Sequence, residues 1–115
     1  MENKLTQEPT RNLPFGNAIW ALKQGKRVTR EGWNGKGLFV FMQIPATINA
    51  DIVPKMQSLP DSVKSYFQKR FEATPDGIHQ IHYSNQMALV TPENNIQGWA
   101  PSSADTLAED WTILD

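Results

Sequence analysis

The chain has 115 residues, no cysteine and a formal charge of -1, with charged residues making up 20% of it. That length suits one small domain that buries a smaller share of its surface than a large protein does, so support from an oligomer is expected. The near-neutral balance excludes a sequence-independent grip on long nucleic acid, and the lack of thiols excludes disulfides, thiolate nucleophiles and cysteine-based zinc sites. No run of about 18 apolar residues is present, and the N-terminus is polar and acid-bearing, so neither a membrane partner nor a targeting segment is expected. A reducing cytoplasm is the expected compartment.

Residues 1–12 open with MENKLTQEPTR, polar and proline-bearing, and predict a loose arm ahead of a single ligand-binding domain over 13–115. Phe15, Ala18, Ile19 and Leu22 recur at i, i+3, i+4 and i+7, the spacing of one helix face, with Pro14 near its start and Gly25 just past its end. Trp20 lies off that stripe, where it covers the helix edge or meets another subunit. Lys26 to Arg30 predicts a short strand, and Leu38 to Ile44 is the main apolar strand, ended by Pro45. Between them, Arg30-Glu31-Gly32-Trp33-Asn34-Gly35-Lys36-Gly37 mixes glycines, a Trp, an Asn-Gly pair and two cations, which reads as a tight turn with exposed chemistry. A hairpin whose Trp plugs the core satisfies the same residues.

Ala46 to Leu59 reads as irregular, and a middle helix is expected from about Leu59 to Phe71 with Ser58 as its cap. Ile78 to Ser84 and Met87 to Thr91 predict a hairpin around Asn85-Gln86. Ile96 to Trp99 predicts a short strand, Ser102 to Asp110 a capped helix, and Trp111 to Leu114 a closing strand. The sum is an α+β fold: a small, mostly antiparallel sheet with an N-terminal helix, an inserted middle helix and a short C-terminal helix.

For chemistry, His79 and His82 stand three apart in an expected strand, which puts them on opposite faces, so no metal is expected. The Gly32 to Gly37 turn lacks the Gly-Lys-Ser/Thr ending of a phosphate-binding loop. Asp105 and Glu109, four apart, share a face of the expected helix; Asp105 as a cap with solvated acids after it explains them better than catalysis does. Trp33, Trp99 and Trp111 sit beside turns or helix ends, and at least one is expected in the core; Trp33 and Trp99 are each followed by small, polar or turn-forming residues, where a stacking platform with nearby donors would be placed.

Two segments together resemble a known family. Phe15-Gly16-Asn17-Ala18-Ile19-Trp20-Ala21-Leu22-Lys23-Gln24-Gly25-Lys26-Arg27-Val28, running into Arg30 to Gly37, resembles the opening of the phage Thoeris anti-defence proteins of the second type. Trp99-Ala100-Pro101-Ser102-Ser103-Ala104-Asp105-Thr106-Leu107-Ala108-Glu109-Asp110-Trp111 resembles their ending. The resemblance implies a non-enzymatic sponge without cofactor: a homotetramer that sequesters a cyclic ADP-ribose isomer and, as in some members, cyclic dinucleotides at a separate site. Residues 46–75 are longer than in compact members.

Such a ligand has a purine face, ribose hydroxyls and a doubly negative pyrophosphate. Trp33 or Trp99 would stack the base. Arg30, Lys36 and glycine amides would meet the phosphates, while Asn34, Ser103 and Asp105 or Asp110 would take ribose hydroxyls. The rival readings are a cyclic nucleotide hydrolase using Asp105, Glu109 or Asp110 with a histidine, and a protein-binding module that uses exposed tryptophans to block a host factor.

Overall fold

The computed structural model describes residues 9–34 and 36–115. Most of the expected arm, residues 1–8, and Gly35 of the Asn-Gly pair therefore lie outside the described residues. Pro14, whose ring fixes a φ suited to a helix start, leads into α1 (Phe15–Lys23), and Gly25 at φ +83 turns the chain after it. There follow β1 (Val28–Arg30), a 3-10 turn (Glu31–Trp33), β2 (Phe39–Met42), β3 (Ala46–Asn49), a second 3-10 turn (Val53–Lys55) and α2 (Asp61–Ala73). The chain continues through β4 (Gln80–Tyr83), β5 (Met87–Val90), β6 (Ile96–Gly98), α3 (Ser103–Leu107) and β7 (Trp111–Ile113). This is the expected α+β fold with its N-terminal, middle and C-terminal helices. Among the described residues no helix is long and apolar enough to cross a membrane.

Two compact units emerge. The first comprises the described residues up to Gln43 together with Asn85–Asp115. It holds a five-stranded antiparallel sheet in the order β6-β5-β2-β1-β7. Register places Val28 opposite both Val40 and Ile113, and Val40 opposite Leu89, so these four share one face. That face and α1 bury Ala18, Ala21, Leu22, Val28, Val40 and Trp111, with Phe15 and Ile19 packed against them. The other face carries Thr29, Thr112, Phe39 and Phe41. Leu13 and Trp111 exchange backbone hydrogen bonds of 3.0 Å, and Ile113 N–H donates to Thr10 O at 2.8 Å, which covers the β7 edge.

The second unit is Ile44–Ser84. Here the structure departs from the expected hairpin over 78–91. β4 pairs with β3, from the stretch expected to be irregular, while β5 pairs with β2 and β6. Asn85-Gln86 is a weak turn sequence, and the pairing of Ile48 with Ile81 gives β3 and β4 their own apolar contact. The expected cap is also corrected: Pro60 occupies the N-cap of α2 and Ser58 does not serve there. Phe67 stacks with Phe71, which lies against the His79 ring.

The C-terminal helix is shorter than expected. Its capping box is complete, with Ser102 Oγ accepting from Asp105 N–H at 3.1 Å and Asp105 Oδ2 accepting from Ser102 N–H at 2.9 Å. Ala108 is already extended, so Glu109 and Asp110 lie beyond the helix, and Asp105 and Glu109 do not share a helical face.

Candidate functional site

The functional candidates of the first unit are held around Trp111, which is completely buried. Its indole N–H donates to Asp105 O at 3.0 Å. Phe15, Trp33 and Trp99 surround its ring at centroid distances of 5.3, 5.4 and 6.1 Å. Trp33 and Trp99 also meet each other edge to face at 6.2 Å, an arrangement favoured by the ring quadrupoles. The 3-10 turn brings Trp33 back onto this cluster, and Asn34 then takes a left-handed conformation, φ 56, that Asn tolerates better than most residues. Both tryptophans are half-buried.

Beside the cluster, Arg30 joins the two ends of the chain motif. Its Nη1 donates to Asp105 Oδ1 at 2.8 Å and its Nε to Asp110 Oδ1 at 2.8 Å, while Asp110 Oδ2 accepts from Gly32 N–H at 2.8 Å. The Arg30 side chain is 17% exposed and its partners 12% and 28%. Burial pushes the Asp105 carboxyl up, but the bonds from Ser102 and Arg30 outweigh it and hold the group below its ordinary range. Asp110 is lowered chiefly by its bond to Arg30. Both carboxylates therefore stay ionised at neutral pH and are committed to Arg30, which suits neither to donate a proton.

Gly32 is needed here for close approach. A Cβ at this position would lie 2.9 Å from Asp110 Oδ2 and 3.0 Å from Arg30 Nη2. Gly32→Ala is expected to force the Arg30–Asp110 pair apart and to cost about 1–3 kcal/mol, the usual scale of overpacking. Urea unfolding of the variant checks this; an unchanged midpoint would show that the pair yields freely.

A recess of about 640 Å³ opens on the same unit, next to the sheet face that carries Thr29, Thr112 and Phe39. Four cations, Arg11, Arg27, Arg30 and Lys36, line it against one acid, Glu31. Arg11 pairs with Glu31 at 2.8 Å and Arg27 with Asp115 at 2.8 Å. Lys36 makes no ion pair among the described residues.

The expected site residues thus fall into three groups. Arg30, Asp105 and Asp110 are brought together in one network, Trp33 and Trp99 in the aromatic cluster, and Arg30 with Lys36 at the recess. Asn34 and Ser103 are exposed and belong to none of these groups. Arg11, Arg27 and Thr29 were not singled out by sequence, although Arg27 and Thr29 flank the buried Val28 and so fall on the open sheet face. The histidines engage separate partners, His79 with Thr74 O at 2.8 Å and His82 with Thr47 Oγ1 at 3.1 Å.

Comparison with known proteins gives two findings. Residues 13–114 match the family described as a Thoeris anti-defense 2-like domain. The chain is also similar to the protein Thoeris anti-defense 2 of Bacillus phage SP01, at 34% identity over 102 residues, which cover 89% of this chain and 94% of that protein.

Proposed function

The chain belongs to the Thoeris anti-defense 2-like family, and on that premise we propose that it is a phage anti-defence protein that binds and sequesters a cyclic ADP-ribose isomer without cleaving it. The observation that carries this reading is the recess in which four cations face one acid beside three threonines and a phenylalanine ring. Cations suit a pyrophosphate, hydroxyls suit riboses, and a ring face suits a purine. Its volume lies within the range of about 300–1,000 Å³ typical of small-molecule sites.

Lys36, free of ion pairs among the described residues, is the cation most ready to meet a phosphate. Arg30 contributes charge at the recess while held by Asp105 and Asp110. Trp33, Trp99, Asn34 and Ser103 do not line this recess, so no contact with a ligand held there is assigned to them. A hydrolytic role for Asp105 and Asp110 is disfavoured, because lowered carboxyl groups bound to Arg30 supply no general acid at neutral pH.

A sponge acts by stoichiometry, so binding near nanomolar, about -12 kcal/mol, is needed to outcompete a sensor. An open recess on a single chain gives too little enclosure for that, which favours a homo-oligomer, a tetramer by family resemblance, working in the cytoplasm of the infected host. The second recess, about 490 Å³ in the 44–84 unit, carries Asp51, Asp61 and Glu72. That acidic rim is unsuited to a cyclic dinucleotide, so no second ligand is assigned to it.

Calorimetric titration of the purified protein with a cyclic ADP-ribose isomer, then denaturation and chromatography of the released ligand, tests the reading. Tight binding with intact ligand recovered is expected. Recovery of a cleaved product would replace the sponge by a hydrolase, and absence of binding would favour the protein-binding module.

A further inference from the structure

The four cations of the recess are not equivalent. Arg30 is mostly buried between two carboxylates, whereas Arg27 and Arg11 each hold a single carboxylate at the surface. Side-chain exposures are 45% and 43% for Arg27 and Asp115, and 68% and 50% for Arg11 and Glu31. We propose that Arg27 and Arg11 join Lys36 in holding the ligand's phosphates, and that Asp115 and Glu31 occupy the two arginines as resident carboxylates until a pyrophosphate displaces both.

Asp115 binds Arg27 as a phosphate would. Its Oδ1 accepts from Nη2 at 2.8 Å and Nε at 3.1 Å, and its Oδ2 accepts from Nε at 3.1 Å and from the Arg27 backbone N–H at 3.0 Å. A guanidinium fork joined by a backbone N–H is the donor set that phosphate oxygens also use. The Arg27 guanidinium carbon lies 5.1 Å from the Phe39 ring centroid, so stacking keeps the fork in place when the carboxylate leaves. Leu114 N–H donates to Arg27 O at 2.9 Å, which keeps Asp115 beside the site for its return.

Exposed ion pairs contribute little to stability, so their exchange for another anion is cheap. A tethered carboxylate nevertheless competes at high effective concentration. Monovalent anions gain little by displacing it, while a doubly charged pyrophosphate that engages both arginines gains twice. The exchange thus selects pyrophosphate esters over the simple anions of the cell. It rests on the sponge reading for the identity of the natural ligand, but the phosphate chemistry can be tested alone.

Inorganic pyrophosphate and a cyclic ADP-ribose isomer are titrated into the wild type and four variants, Asp115→Asn, Glu31→Gln, Arg27→Ala and Asp76→Asn. Asp76→Asn removes one negative charge within the 44–84 unit and serves as the control. Freeing an arginine through Asp115→Asn or Glu31→Gln is expected to tighten pyrophosphate binding about two- to fivefold. Arg27→Ala is expected to weaken it about tenfold, and Asp76→Asn to leave it unchanged. No pyrophosphate binding by any variant, no tightening in either carboxamide variant, or equal tightening in Asp76→Asn would overturn the proposal. Failure of the cyclic nucleotide alone, with the pyrophosphate pattern intact, would instead sink the sponge reading and leave the exchange standing.

Discussion

Trp111→Ala is expected to lower folding stability by about 3–5 kcal/mol, the cost of deleting a large aromatic side chain from a packed core. Small domains are stable by about 5–15 kcal/mol in total, so most of the margin would go. The reason is positional. Trp111 has no exposed surface, lies in β7 opposite Arg30, and touches Phe15, Trp33 and Trp99 with its ring. Its removal leaves a cavity that α1, the 3-10 turn and the residues after β6 would all have to collapse into. Trp111→Phe retains part of the volume and loses the hydrogen bond to Asp105 O, so it is expected to cost clearly less. Urea unfolding followed by far-UV circular dichroism measures both. A loss below about 1 kcal/mol for the alanine variant would show that the cluster repacks and is not the keystone of this unit.

The elements of the first unit were legible because their signals are local. Pro14, the apolar spacing from Phe15 to Leu22 and Gly25 bound α1, and Ser102 with Asp105 three residues on marks the start of α3. What the sequence hid was pairing. Ile78 to Thr91 reads as two strands with a connection between them, and nothing local says that β4 belongs with β3. That choice depends on Ile48 meeting Ile81 across a long stretch of chain, a tertiary contact that overrides a weak turn. The end of α3 was misplaced for a related reason: Ala108, Glu109 and Asp110 have no strong breaker, but Asp110 leaves the helix to reach Arg30 and the Gly32 N–H.

The candidate site was legible as a list of residue types but not as a partition among roles. Sequence identified Arg30 at a glycine-rich turn and Asp105 and Asp110 in an expected helix without showing that they neutralise one another. It identified three tryptophans beside turns without showing that Trp33 and Trp99 pack against Trp111. Arg27 was passed over because it reads as one cation in a short strand. Its interest arises only from the register that sets Thr29 opposite Thr112, and from Asp115 folding back onto it.

Arg30→Ala carries the second large effect, about 2–3 kcal/mol, somewhat below the cost of removing one partner from a fully buried ion pair because this network is only partly buried. The substitution leaves two carboxylates near each other with no cation between them, one of them the buried Asp105. Arg30→Lys is expected to recover only part of the loss, since one ammonium cannot reproduce a fork that reaches both acids. Acid dissects the effect. Asp105 and Asp110 are lowered in the folded protein, so the stability they contribute is fully present above the unfolded carboxyl value of about 3.9. It is lost as pH falls through their folded values, where protonation removes the attraction to Arg30. The gap between wild type and Arg30→Ala is therefore expected to be constant from about pH 8 to pH 5 and to narrow below about pH 4. Urea midpoints taken across that range measure it, and a gap of the same size at pH 3 as at pH 7 would show that Arg30 acts through packing of its stem rather than through its charge.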